Sequence, residues 1–371
     1  MRYRSWISRG AFVPGLAGVM MCMIPATAAS SDQDRATTPA SEWTRIEGGA
    51  GTNCAGDSSF AFYVKSGDPH RVMVYFSGGG ACWTGATCDI LGRPTFDSQI
   101  GTIEQLRRGE GILDLANPAN PVRDYSIVVI PYCTGDLHLG SRDVTYVDTL
   151  PAGGASRTFV THHQGARNVA SALAWVRSHW TAPELIFVTG ESAGAVPSAV
   201  YAVDLATHYP EARVVQLGDG GGGFRSAALP AMLARWGAAT TIHQYPAYRS
   251  IDSTAITFER LYVAGAQSAP RIRYAQYNNA ADQAQRDFLD LLGVHDARLQ
   301  DLLHQNFAEI RQGNPAFRTY TAPGSQHTIV TSAAFYTLSV DGVAIRDWVA
   351  ALLTGEAVHD VGDALLAEAP Q

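Results

Sequence analysis

The pentapeptide Gly190-Glu191-Ser192-Ala193-Gly194 sets a serine between two glycines, the G-x-S-x-G pattern of an activated nucleophile. An apolar run, Leu185–Thr189, precedes it, and a helical stretch follows from Ala195. Strand, sharp turn and helix in that order would lift the Ser192 hydroxyl clear of the chain. Glycine is needed on either side because side chains there would strike the neighbouring strand and helix. The helix that follows would aim its free N–H groups at developing negative charge. An inert serine in a tight turn would share the pattern, but the flanking strand and helix favour the nucleophile.

A second motif, Ser77-Gly78-Gly79-Gly80, follows the apolar run Val72–Phe76. Without Cβ atoms, such a loop can turn its N–H groups toward a substrate carbonyl oxygen. Gly79, Gly80 and Ala193 are therefore the expected oxyanion donors, against the alternative of a merely flexible glycine loop. His327, just after the last expected strand, is the leading general base. His138 lies in a loop that could face the site but precedes the serine, and His162 and His163 read as residues opening a helix. The acid that orients the base is Asp282 or Asp219. Asp282 is preferred because it follows the penultimate strand, although Asn279–Asp282 also reads as a helix N-cap. Asp219 stands before four glycines and reads equally as a turn residue.

The elements that would hold these groups alternate along the chain. Unbroken apolar runs at Phe60–Lys65, Arg71–Phe76, Ser126–Ile130, Leu185–Val188, Val214–Leu217, Ile272–Tyr277 and Phe317–Thr321 read as strands buried on both faces of a parallel sheet. Helical periodicity fills Ala166–Ser178, Ala195–His208, Ala227–Trp236, Gln283–Leu292 and Val343–Leu353. This alternation predicts an α/β fold, a three-layer sandwich around a mostly parallel sheet. The stretches Gly85–Arg123 and Gly135–Arg157 read as loops or a lid over one sheet edge.

Composition narrows the function. The 371 residues carry 27 Lys and Arg against 34 Asp and Glu, a net charge of −7. Lys65 is the single lysine, and the basic residues are scattered, which argues against nucleic acid as a partner. Hydrophobic residues make up 46 %, enough for a large core and too many for a disordered chain. Arg2, Arg4 and Arg9, the apolar stretch Ala11–Ile24 and Pro25-Ala26-Thr27-Ala28 have the order of a secretory signal. The expected organisation is a signal peptide (1–28), a flexible lead-in (29–42) and one catalytic domain (43–371). The product would be secreted or periplasmic, without stable membrane insertion. Cys54, Cys82, Cys88 and Cys133 would remain, an even number that suits disulfides in three possible pairings. Neither a metal nor another cofactor is expected.

Four segments together resemble the pectin acetylesterase family of Notum-like serine carboxylesterases. They are Tyr75–Cys82 with Cys88 beyond it, Pro131-Tyr132-Cys133 with Asp136 and Gly140, Gly190–Ala195, and the pair Asp282 (with Gln285) and His327 (in Gly-Ser-x-His). The resemblance runs from about Cys54 to His327. It implies an α/β-hydrolase-like fold, a Ser192–Asp282–His327 triad and metal-free deacylation. It also implies a local Cys82–Cys88 disulfide, which leaves Cys54 with Cys133. Ala81, Trp83, Glu191 and Asp136 become pocket candidates. The chain departs from the family at Ala81, where a bulky aromatic is usual, at Ser77, commonly acidic, and at Ala195, usually glycine. The implied substrate is an ester, by family default an acetylated polysaccharide. The same triad would serve an acyltransferase or an aliphatic-polyester depolymerase. A binding domain that has kept the fold without turnover is the non-enzymatic alternative. Arg93, Arg107 and Arg108 are the cations that could meet a polyanionic substrate.

Overall fold

The computed structural model describes residues 42–149 and 156–367. The expected signal peptide and nearly all of the lead-in lie outside the described residues.

Ten strands position the site. They are β1 (Thr44–Glu47), β2 (Ala61–Lys65), β3 (Asp68–Phe76), β4 (Tyr125–Ile130), β5 (Arg142–Asp148), β6 (Arg157–His163), β7 (Leu185–Glu191), β8 (Arg213–Asp219), β9 (Arg273–Asn279) and β10 (Arg318–Ala322). Eight of them form one sheet in the order β1-β2-β4-β3-β7-β8-β9-β10. The β1–β2 and β2–β4 pairs are antiparallel, and every pairing from β4 through β10 is parallel. This is the α/β-hydrolase-like sandwich that the strand–helix alternation predicts.

Each strand sends alternate residues to opposite faces. Phe62, Val72, Val74, Phe76 and Val128 enter one core, where helix Ala195–His208 contributes Val196, Val200 and Val203. Tyr63, Met73, Tyr75, Ile127 and Val129 enter the other, closed by Ile345, Trp348, Val349 and Leu352 of helix Ile345–Thr354. Burial on both faces explains why the central strands show no polar alternation.

Register sets the active edge. Phe76 lies opposite Gly190, Glu191 opposite Asp219, and Asp219 opposite Tyr277. The carboxyl ends of β3, β7, β8 and β9 are thus level, and the loops leaving them converge on one face, the usual place for a ligand site in such a sheet.

Two expectations need correction. The stretch Gly135–Arg157 is not all loop, because Arg142–Asp148 pairs antiparallel with Arg157–His163 as a separate hairpin. His162 and His163 therefore end a strand, and the helix starts after them at Gly165. The hairpin's inward positions, Tyr146 and His163, bond to each other side chain to side chain (2.9 Å). A polar pair of this kind hides the apolar alternation by which a strand is read. Helices Phe258–Ser268 and Leu299–Gly313 are additional to those expected.

Candidate active site

β7 ends at Glu191, Ser192–Gly194 make a single 3-10 turn, and helix Ala195–His208 continues from it. Ser192 has φ of +50°, a left-handed conformation that costs a non-glycine residue about 1–3 kcal/mol and must be held by its surroundings. The hold is steric. A Cβ on Gly190 would collide with the Gly194 carbonyl, and one on Gly194 would collide with that of Phe76. The two glycines thus let the turn press against β3.

Ser192 Oγ lies 2.7 Å from His327 Nε2, and His327 Nδ1 lies 2.8 Å from Asp282 Oδ2. Asp282 is fully buried while His327 keeps a quarter of its side chain in solvent. Burial alone would lower the His327 pKa. The hydrogen bond and charge of Asp282, with a smaller effect of the Glu191 charge, outweigh burial and raise it. The histidine is thereby prepared to accept a proton.

Asp282 also caps its helix, so the two readings of this residue coexist. Its Oδ1 accepts the Gln285 N–H (3.0 Å), and Oδ2 accepts Gln285 Nε2 (2.9 Å) as well as the imidazole. Gln285 is itself tied to the Gly223 N–H through Oε1 (2.7 Å). The carboxylate is therefore fixed independently of the histidine it faces.

Asp219 is elsewhere. Its Oδ2 accepts the N–H groups of Ile329 (2.9 Å) and Val330 (2.7 Å), just past His327. Burial pushes its carboxyl up to about 8, against the lowering effect of those two N–H groups. The structure thus gives Asp219 the loop, and Asp282 the imidazole.

The Ser77–Gly80 loop packs against the serine: a Cβ on Gly78 would lie 2.9 Å from Ser192 Cβ. The loop is stitched outward by Asp97 N–H to Gly79 O (2.8 Å) and Ala81 N–H to Thr95 O (3.3 Å). Among the described residues no protein acceptor takes the N–H of Gly79 or Gly80. Beside Ser192 lies a cleft open to solvent, onto which Gly80, Ala81, Trp83 and Ala193 face. Its remaining walls include Leu137, Phe224, Met232, Phe258 and Phe288.

Two pocket candidates lie off this wall. Glu191 turns toward the His327 loop and accepts hydrogen bonds from Thr328 Oγ1 (3.3 Å) and Thr331 Oγ1. Asp136 is fully buried in the turn after Cys133, where it accepts from Thr134 Oγ1 (2.6 Å), His138 N–H (3.1 Å) and Gly165 N–H (2.8 Å). Burial raises its carboxyl to about 6 despite those donors. Of the three arginines, Arg107 pairs with Glu42 (2.8 Å), and none of the three lines the cleft. Two disulfides, Cys54–Cys133 and Cys82–Cys88, brace the site's flank in the pairing the family resemblance implies.

Sequence reading missed the aromatic walls. Phe258 and Phe288 sit at ordinary helical positions, and no local signal separates a pocket wall from a core residue. Asp97 was missed too. Burial and the charge of Glu191 raise its carboxyl, which lies close against Gly79.

The Pectinacetylesterase family model matches residues 38–227, half of the chain. No curated protein matches the sequence significantly. The matched segment holds the glycine loop and the serine turn, both in the positions just described. The chain belongs to the pectinacetylesterase family and is a carboxylic ester hydrolase.

Proposed function

We propose that this protein is an exported serine esterase working through Ser192, His327 and Asp282. The observation that carries the reading is the unbroken hydrogen-bond chain from Ser192 Oγ through His327 to the buried Asp282. In the proposed first step Ser192 Oγ attacks the ester carbonyl carbon while His327 Nε2 takes its proton. Asp282 holds the ring with Nδ1–H toward itself and stabilises the imidazolium. The oxyanion meets the N–H groups of Gly79, Gly80 and Ala193. His327 then returns the proton to the departing alkoxide. Water, deprotonated by the same imidazole, attacks the acyl-enzyme and frees the acid. The disulfides support an oxidising compartment, in keeping with a cleaved leader of 28 residues.

Family membership favours acetyl as the acyl group. One observation favours a longer chain, such as a lipid-like or aliphatic polyester acyl. The cleft beside Ser192 is walled by apolar side chains, and His327, which must face the leaving alcohol, is not among its lining residues. The cleft is therefore the acyl side of the site. The apolar wall continues past the serine over Phe224, Met232, Phe258 and Phe288, and each further methylene buried against it is worth about 0.8 kcal/mol. A strongly anionic polymer such as pectin fits less well, since Asp97 lies against Gly79 of the glycine loop, Glu191 precedes the serine, and no arginine lines the cleft.

The test is hydrolysis of p-nitrophenyl esters from acetate to palmitate by wild type and Ser192→Ala. We expect turnover to fall by at least about 10⁴-fold in the variant. Activity that persists in Ser192→Ala would sink the mechanism. A maximum at acetate would favour a deacetylase, and one at longer chains would favour the apolar acyl reading. Product analysis with added alcohols separates hydrolysis from acyl transfer.

A further inference from the structure

His138 lies in the turn Thr134–Leu139, directly after the Cys54–Cys133 disulfide. It is buried, and its Nε2 lies 2.9 Å from the Ser77 carbonyl oxygen. A carbonyl can only accept, so Nε2 carries the proton. Ser77 begins the loop whose next residue, Gly78, packs against Ser192 and whose Gly79 and Gly80 N–H groups have no protein acceptor among the described residues. The far side of that loop is held by Asp97 and Thr95. His138 holds the near side.

The turn is built to keep the ring there. Leu137 and His138 both have left-handed φ, +54° and +57°, a conformation such residues adopt only when their surroundings fix it. Four bonds do so. Asp136 accepts the His138 N–H, and the Gly165 N–H ties Asp136 to the next helix. The Tyr132 hydroxyl accepts the Leu137 N–H (2.9 Å), and the Tyr201 hydroxyl donates to the His138 carbonyl (2.8 Å). The ring stands edge-on to Phe76 and beside Tyr132, with centroids 5.4 and 4.8 Å apart. We infer that His138 is a positioning residue for the oxyanion loop, a permanent donor that fixes the Ser77 carbonyl so that the Gly79 and Gly80 N–H groups face the reacting oxygen. Burial holds the imidazole pKa down at about 4, so the ring stays neutral over the working range. Nothing in this role moves a proton.

The inference rests on the esterase reading, and the test separates the two. His138→Phe keeps a ring against Phe76 and Tyr132 but removes the donor. His138→Gln restores an N–H donor. For a p-nitrophenyl ester, we expect kcat of His138→Phe to fall about 10- to 100-fold, less than the loss of a hole donor itself, with KM within about twofold. A trifluoromethyl ketone, whose adduct with Ser192 places an oxyanion in the hole, should weaken by the same factor as kcat/KM. His138→Gln should recover most of both losses. Unchanged kcat in a folded His138→Phe, a loss confined to KM, or no recovery in His138→Gln would each overturn the role. If His138→Phe fails to fold, the wild-type ring still decides: its ¹⁵N shifts must show a neutral ring protonated at Nε2, and a proton on Nδ1 overturns the inference. A wild type that neither turns over esters nor reacts with a fluorophosphonate at Ser192 would instead remove the esterase reading beneath it.

Discussion

Two loops flank Ser192, each carries a histidine, and each is held by a buried aspartate. Asp219 takes the N–H groups of Ile329 and Val330 and so fixes the loop of His327. Asp136 takes those of His138 and Gly165 and so fixes the turn of His138. The rings nevertheless have opposite characters. Burial lowers the His327 pKa, but the hydrogen bond and charge of the carboxylate it faces outweigh burial and raise it. His138 is buried among aromatic rings, and its hydrogen bond to the Ser77 carbonyl does not offset that burial, so its pKa is driven down to about 4. In the proposed mechanism the same side chain serves as a base in one setting and as a fixed dipole in the other. Burial opposes the charged ring in both, and only the charge of Asp282 outweighs it.

The sharpest way to break the contrast is Asp282→Asn. Asn would favour the wrong imidazole tautomer, and kcat should fall about 10⁴-fold. The carboxylate also raises the His327 pKa. Activity needs His327 neutral, so the acid limb of the residual kcat/KM profile should move to lower pH. An unmoved limb would detach His327 from that limb.

Next in size is the double change Cys54→Ser with Cys133→Ser. The bond closes a loop between positions 79 apart and ends one residue before the His138 turn. Denaturant unfolding should show a loss of about 2–4 kcal/mol. The pH profile of the remaining activity should stay in place, because His327 is held by hydrogen bonds elsewhere. A shifted profile would mean that the two loops are coupled.

The smallest expected effect is in Asp219→Asn. Folded Asp219 has its carboxyl raised to about 8, against about 3.9 in the unfolded chain. The folded state therefore keeps a proton that the unfolded state has lost. This contribution to stability is full below about pH 4 and disappears as the pH rises toward 8. Asn keeps an acceptor for the Ile329 and Val330 N–H groups but does not titrate. Its melting temperature relative to wild type should thus climb between pH 4 and 8. A difference independent of pH would show that Asp219 is already ionised when folded.

The sequence was most legible where one residue type has one structural use. Gly190, Ser192 and Gly194 could be read because only a sharp strand-to-helix turn needs that spacing, and helix Ala195–His208 runs over the expected residues. The central strands were legible from their unbroken apolar runs. The β5–β6 hairpin was not, because its inward-facing His163 is satisfied by Tyr146 and the Thr134 carbonyl, contacts that no local pattern announces. In helix Leu299–Gly313 the residues Leu299, Leu302, Leu303, Phe307 and Ile310 do follow helical spacing, so that helix was readable and was overlooked. The choice between Asp282 and Asp219 depended on three-dimensional reach, since Asp219 ends β8 and Asp282 follows the neighbouring β9 at the same sheet edge.

The cleft's parts have different addresses along the chain. Gly80, Ala81, Ser192 and Ala193 fall within residues 38–227, the stretch shared with the family model. Trp83, Leu137, Val196 and Phe224 of the wall fall there too, while Leu229, Met232, Phe258, Phe288 and Leu292 come later. The wall is therefore written in two stretches: part of it can be redrawn without touching the segment that carries the glycine loop and the serine turn, and part of it cannot.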